Sequence, residues 1–302
     1  MVRLQIPINF RKGKLIMDMF EEFWYISAVV YSKINPFMIH HFGMDKVGFF
    51  LRKIKRPRTV NVDGLLFQFE PEVSTCFGRM IGGSFNEGGT HKLLKRVLKY
   101  VEKVDLFVDV GSNIGEFIID VAFSGKVARV IGVEPNPGCV RSCLKSLELN
   151  ALKNVQLIQK ILTDSHEAVR FDMRGENANG HSIFAPPTES EVIYSSTLDD
   201  EVQDEYPSAI LLIDVEGAEA LVLKGGEKFV AVNLPFIIFE YNHISKAHFS
   251  LDDIRRILPE GYEIFRLRSE DGFLDRNLQE TWNCVAVHEN SPFGGVLEEI
   301  VK

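Results

Sequence analysis

Phe107-Val108-Asp109-Val110-Gly111-Ser112-Asn113-Ile114-Gly115-Glu116 decides how this chain is read. An apolar run of strand character ends in an acid and then turns, through two glycines, into a helical pattern. In open α/β sheets ligands sit at the carboxyl ends of the strands. The glycines let the backbone pass close to such a ligand, and Asp109 offers a carboxylate to a cationic or polyhydroxyl partner. Dinucleotide folds want G-x-G-x-x-G, which brings a helix N-terminus to a pyrophosphate. Here the turn reads G-x-x-x-G with an acid two positions ahead. That acid repels a pyrophosphate and suits the ammonium and sulfonium of S-adenosylmethionine. Asp109, Gly111 and Gly115, with Ser112 and Asn113 in the turn between them, are therefore candidates for the cofactor, a purely structural turn being the alternative.

Outward from this stretch, short apolar runs recur at 106–110, 130–133, 155–162, 210–215 and 236–239, with helical segments between them. Near-continuous Val/Ile/Leu/Phe runs are what strands covered on both faces look like, and their alternation with helices predicts a doubly wound, mostly parallel α/β sheet. Runs at 262–267 and 284–287 follow without a long helix and predict a closing antiparallel hairpin. Upstream, 65–69 reads as a short strand and 91–100 as a helix.

Each strand end repeats the acidic theme. Ile131-Gly132-Val133-Glu134-Pro135-Asn136-Pro137 places Glu134 where a carboxylate accepts both hydroxyls of a ribose, and the prolines open the next helix. Pro135 and Asn136 are grouped with it, and Asp164 after the third strand suits an adenine amino group. In Leu212-Ile213-Asp214-Val215-Glu216-Gly217-Ala218-Glu219, Asp214 and Glu216 are spaced to face one cleft, whereas Glu219 caps or lines the helix start. Three carboxylates within six residues repel one another unless a cation, a proton or substrate hydroxyls intervene. Glu240 ends the next run, and His243 lies three residues on, where it can take a proton at neutral pH. A Mg²⁺ held by Asp214 and Glu240 is a rival reading that the sequence does not require. His181 belongs to a polar loop, 174–191, expected to shape an acceptor pocket.

The whole chain has 302 residues, 45% of them hydrophobic, and a net charge of -8. Charge is uneven: residues 1–60 hold 11 Lys/Arg against 4 Asp/Glu, and the remainder 23 against 38. The acidic body argues against nucleic acid as a partner. In the basic, aromatic head a helix is expected over about 14–31, a break at Asn35-Pro36, and a cluster of Arg52, Lys53, Lys55, Arg56 and Arg58. Nothing in the head looks catalytic; it can dock on the body, pair two copies, or lie on a membrane. Four unpaired-looking cysteines read as packed thiols. No apolar run reaches the roughly 18 residues of a membrane span, and no secretory signal is evident. A cytoplasmic protein is the expectation, its head read first as a helix docked on the body, with membrane contact or pairing of two copies as the alternatives.

Taken in order, DVGSNIGE, VEPNP, SSTLDD (195–200), LIDVEGAE and IIFEYN, with GGSFNEGGTH (82–91) upstream, resemble the FkbM family of S-adenosylmethionine-dependent methyltransferases. The resemblance runs over about 61–288 and leaves the head outside it. It implies a class I methyltransferase sheet with an antiparallel last strand over 61–302, a cofactor half at about 101–165 and an acceptor half at about 166–290. It also implies O-methylation of a hydroxyl on a sugar, glycolipid, polyketide or related small molecule. Family motif residues fall on Asp109, Gly111, Asn113, Gly115 and Glu134 for the cofactor, and on Asp214, Glu216 and Gly217 near the methyl. Where many members have Ala, this chain has Ser112. Asp214, or else His243, is the expected proton acceptor, while Glu216, Glu240 and His181 hold the substrate. A silent scaffold with this fold is disfavoured because every cleft acid is present, and a nicotinamide oxidoreductase because G-x-G-x-x-G is missing.

Overall fold

The computed structural model describes residues 9–42, 46–172, 183–184, 190–279 and 281–302. Two helices come first, α1 (Asn9–Phe42) and α2 (Val47–Leu51), then a hairpin of β1 (Arg58–Val62) and β2 (Leu65–Phe69). Next come α3 (Gly88–Tyr100), β3 (Val104–Val110), α4 (Glu116–Phe123), β4 (Val127–Val133), α5 (Pro137–Leu149) and β5 (Val155–Ile158). A small sheet follows, of β6 (Ile161–Leu162), β7 (Ala168–Asp172) and β8 (Ser190–Ser196). The chain then runs through α6 (Leu198–Glu201), β9 (Ala209–Ile213), α7 (Glu219–Lys224), α8 (Glu227–Asn233) and β10 (Phe236–Glu240). It ends with α9 (Ser245–His248), α10 (Leu251–Ile257), β11 (Tyr262–Leu267), β12 (Leu274–Asp275), β13 (Asn283–His288) and α11 (Leu297–Ile300).

The main sheet has the order β12-β11-β13-β10-β9-β3-β4-β5. From β10 to β5 it is parallel, and β13, the last strand, runs antiparallel to both β10 and β11. This is the expected α/β architecture, closing hairpin included. The chain moves from β3 to β4 and β5 on one side, then returns to β9 on the other. The order therefore reverses between β3 and β9, where open sheets leave a crevice at their carboxyl edge.

Period-two alternation sends successive side chains to opposite faces. Phe107, Val130, Ile210, Leu212, Phe236 and Ile238 join one core with α3, α4 and α5. Leu106, Val108, Val110, Ile131, Ile213 and Phe239 join the other, with α7, α8 and α10. All four cysteines are buried with free thiols.

Three expectations change. The run 155–162 is two strands: Val155–Ile158 pairs with β4, whereas Ile161 and Leu162 pair with Ser195 and Ser196 of β8. A tight turn at the exposed Gln159-Lys160 makes the switch, with Lys160 N–H donating to Ile158 O at 3.1 Å. The loop read at 174–191 is flanked by two strands the sequence reading passed over, β7 and β8, whose polar, alternating residues hid an antiparallel pair with one exposed face. Finally, α1 does not break at Asn35-Pro36 but continues to Phe42. One proline removes one backbone donor, which need not end a helix whose flanking turns persist.

One face of α1 docks on the body. Ala28 is fully buried, Ser32 Oγ donates to Arg79 O at 3.1 Å, and Trp24, Tyr25 and Tyr31 pack against the core. Asp18 and Glu22 pair with Arg56 (2.5 Å) and Arg58 (2.7 Å). No helix among the described residues is long and apolar enough to cross a membrane.

Candidate active site

The acids gather because of strand register. Val110 pairs with Val133 and Ile213, and Ile213 with Phe239. The next residue of each strand therefore lies in one row at the carboxyl edge: Glu134, Gly111, Asp214 and Glu240. By alternation that row faces the side of α3 and α4. A cleft of about 860 Å³ opens over it, lined by Gly111, Ser112, Asn113, Glu134, Pro135, Asp214, Glu216 and Glu240.

Gly111 has φ +91°, and a Cβ there would lie 1.8 Å from Asp214 O. The glycine is needed where the backbone turns under the neighbouring strand end, as much as for any ligand. Gly115 also has a positive φ, but its missing Cβ makes room for Cys143 Sγ on α5, and it does not line the cleft. Glu134 is held in place: Oε2 accepts from Asn113 N–H at 2.9 Å and Oε1 from Asn136 N–H at 2.7 Å. Burial outweighs these hydrogen bonds and pushes its carboxyl up to about 7. Each oxygen keeps a second lone pair for a hydroxyl. Asn136 itself caps α5, accepting from Gly138 N–H at 2.8 Å, and does not reach the cleft.

Asp109 faces the same side but sits one row lower, opposite Gly132 and Leu212, about 7 Å beneath the cleft edge. It is 1% exposed, and neither carboxylate oxygen has a hydrogen-bond partner. Burial first, then Glu87 and Glu134, raise it well above the usual carboxylate range.

Across the row, β9 leads into a loop where Glu216 (φ +53°) and Gly217 (φ +106°) are both left-handed. Glu219 is buried and holds this loop, Oε1 accepting from Val215 and Gly217 N–H at 3.2 Å each. Glu216 in that conformation is strained, as side chains at functional sites often are. Asp214, Glu216 and Glu240 offer oxygens all within 4.8 Å of one another. Burial and then mutual repulsion raise Asp214 strongly, Glu216 to about 7 and Glu240 to about 8. Oε2 of Glu240 is buried without a partner.

Other expected residues lie elsewhere. Asp164 is exposed, 4.0 Å from Lys224 Nζ, and outside the cleft because β6 leaves the main sheet before it. His243 is exposed beside Trp282, its ring 6.0 Å away, and only Trp282 lines the cleft. The turn after β10 carries His243 outward while Asn242 Oδ1 accepts from Ile244 and Ser245 N–H. His181 lies outside the described residues.

Several cleft residues escaped the sequence reading. Glu87 lines it, accepts from Thr90 Oγ1 (3.1 Å) and Asn283 Nδ2 (2.9 Å), and is raised by burial and by Glu116. Glu116 receives Asn86 N–H and Nδ2, both at 2.7 Å, and His91 Nε2 at 3.1 Å. His91 Nδ1 lies 2.6 Å from Asp120, and its ring is stacked between Phe85 and Phe117. Burial alone would lower His91; its hydrogen bonds to Asp120 and Glu116 outweigh that and raise it. GGSFNEGGTH is thus fastened to DVGSNIGE by a buried ion cluster. Another wall comes from the head: Ser32 of α1 with Gly48, Phe49 and Arg52 at α2. No motif signalled this, because it depends on how α1 lies on the body.

The sequence profile of the methyltransferase FkbM domain matches residues 109–276, more than half of the chain. The chain belongs to the FkbM methyltransferase family. No curated protein matches it. Among solved structures, methyltransferase FkbM from Methylobacillus flagellatus KT matches at 15% identity and TM-score 0.43, over 88% of this chain and 58% of that one. An rRNA methylase from Streptococcus thermophilus matches at 13% and 0.40 over 68% and 98%. TYW2 from M. jannaschii, solved with AdoMet, matches at 14% and 0.41 over 77% and 84%. The chain thus spans about 58% of the length of the first structure it matches.

Proposed function

We propose that this FkbM-family chain binds S-adenosylmethionine and methylates a hydroxyl of a sugar, glycolipid or other polyol. The observation that carries the reading is one cleft, at the reversal of strand order, ringed by carboxylates that burial has left short of positive charge. Glu240 Oε2 lines the cleft and is buried without a partner, and such an atom is costly unless a ligand compensates it. A ligand with a ribose diol and two cationic centres fits this set. Glu134 supports the diol, and the acids around Asp214 favour the cations. When bound, S-adenosylmethionine supplies a methyl group activated on a sulfonium.

The rest is the work of this chain's own residues. A hydroxyl that accepts a methyl must lose its proton as the new bond forms. Asp214 lines the cleft beside Glu216 and Glu240 and is the best-placed acceptor; exposed His243 is not. A cation nearby favours the ionised form of a carboxylate, so Asp214 would serve as a base beside the cationic centres of a bound cofactor. Glu216 and Glu240 are acceptors for neighbouring hydroxyls of a polyol, and their grip supplies orientation. A second reading rests on the close approach of the Asp214, Glu216 and Glu240 oxygens, a hard-donor set that suits a divalent cation.

Isothermal titration of the whole chain with S-adenosylmethionine, S-adenosylhomocysteine and NAD, with and without Mg²⁺, tests both readings. Micromolar binding of the first two and none of NAD is expected. Binding of none of them sinks the cofactor reading, and heat from Mg²⁺ alone that disappears in Glu240→Gln supports the cation site.

A further inference from the structure

We propose that the outer face of α1, continued by Phe49 of α2, is a docking surface for an anionic lipid bilayer. Helical spacing puts Met19, Phe23, Ile26, Val30 and Ile34 in a stripe roughly a third of the helix circumference wide. Each is 42–65% exposed, and Phe20 widens the stripe at 59%. They lie opposite the face that carries Ala28 and Ser32 into the body, so docking on the body has used one side of α1 only. Soluble surfaces seldom leave so continuous an apolar patch uncovered.

Charge names the occupant. The four acids of residues 1–60 are outnumbered by 11 Lys and Arg. Asp18 and Glu22 are already paired with Arg56 and Arg58, and Glu21 accepts from Lys55 N–H at 3.2 Å. Lys33 and Lys53 stay exposed, with Lys53 Nζ 5.3 Å from the Phe49 ring centre. An apolar stripe beside lysines is what an interfacial helix presents to anionic headgroups. The rest of the chain carries 38 acids against 23 bases, so such a surface attracts the head, repels the body and orients the molecule. A second copy would bring basic head against basic head.

The stripe is also continuous with the cleft. Phe23 meets Trp24 at 5.0 Å between ring centres, Trp24 meets Phe49 at 6.1 Å, and Phe49 is both 48% exposed and part of the cleft wall. The surface stands independently of the methyltransferase reading.

The test is co-sedimentation of the full chain with vesicles of phosphatidylcholine alone or with about one-third phosphatidylglycerol. Wild type is expected to bind the anionic vesicles, and less at high salt. Ile26→Asp with Val30→Asp should lower the bound fraction at least fivefold, Lys33→Glu with Lys53→Glu at least twofold. Both pairs should keep the wild-type melting temperature, because these side chains are exposed and outside the cleft. Wild-type failure to bind, or variants that bind as well as wild type, overturns the proposal. So does light scattering that finds a dimer which Ile26→Asp/Val30→Asp dissolves in a protein without vesicle affinity, since a second copy then covers the stripe. S-adenosylmethionine titration of the same variants separates this outcome from a failure of the cofactor reading.

Discussion

The two halves of one sheet edge are prepared differently. At β4, Glu134 already holds two backbone N–H groups and Asn136 caps the helix behind it, so the carboxylate has one orientation before any ligand arrives. At β9 and β10, Asp214, Glu216 and Glu240 crowd within reach of one another, Glu240 leaves an oxygen unpaired, and Glu216 sits in a strained turn. The first half recognises by preorganisation; the second stores unfavourable electrostatics that a cation or a proton relieves. On the function proposed above, recognition and chemistry would take different parts of the same edge, and each part can be broken separately.

The greatest effect is expected where the halves touch. Gly111→Ala puts a methyl group onto Asp214 O, a backbone atom that cannot swing away, and should cost more than about 3 kcal/mol or prevent folding. Gly115→Ala meets side chains only, Cys143 Sγ most closely and then Ile119 and Ile118, and should cost about 1–2 kcal/mol. Denaturant melts that rank them the other way would dissolve the idea that the strand reversal is the tightest point.

Glu134→Gln keeps the shape but turns a donor toward a backbone N–H and removes charge. S-adenosylmethionine should bind about 10- to 100-fold more weakly by titration. Asp214→Asn should leave binding within a few fold yet lower turnover at least tenfold once an acceptor is found, measured as S-adenosylhomocysteine formed. If the two variants exchanged these signatures, the division of labour would be reversed.

Acidity sharpens the comparison further. Glu134 and Glu216 are raised to about 7 and Glu240 to about 8, against 4.5 for an ordinary glutamate. Acids raised by folding stabilise the folded state below their unfolded values and lose that contribution as pH climbs through their folded ones. The ligand-free protein should therefore melt progressively lower from about pH 5 to pH 8, whereas affinity for the cationic cofactor should rise over the same window. A flat affinity profile would mean that these acids do not meet the cation. Least affected should be Thr197→Ala, which removes a cap from α6 at a residue that does not line the cleft. It should cost about 1 kcal/mol without changing cofactor affinity, because SSTLDD joins elements rather than binding ligand.

Much of the edge was legible before the fold. Glu134, Asp214 and Glu240 each end an apolar run, and alternation along parallel strands forces such residues to one place. Asp109 was read as a carboxylate offered to a ligand at the strand end, whereas the structure buries it one row below the cleft edge, since its row is set by pairing with β4 and β9. Asp164 was misplaced because Ile161 and Leu162 chose β8 over the main sheet, a long-range competition that local apolar character does not reveal. Gly115 and Asn136 turned out to serve helix packing and capping, roles that share their signature with ligand turns.

What the sequence determined by itself was the strand-helix alternation, the acids at the strand ends and the split of charge between head and body, because periodicity and composition are local. What the tertiary structure alone decided was which acids share a cleft, that Glu87 and Glu116 join them, and that α1 and α2 close one wall while leaving an apolar stripe outside. Those outcomes come from register and docking between segments distant in the chain, from Ser32 on Arg79 to β3 beside β9, where the free energy of burial, not local preference, selects the partner.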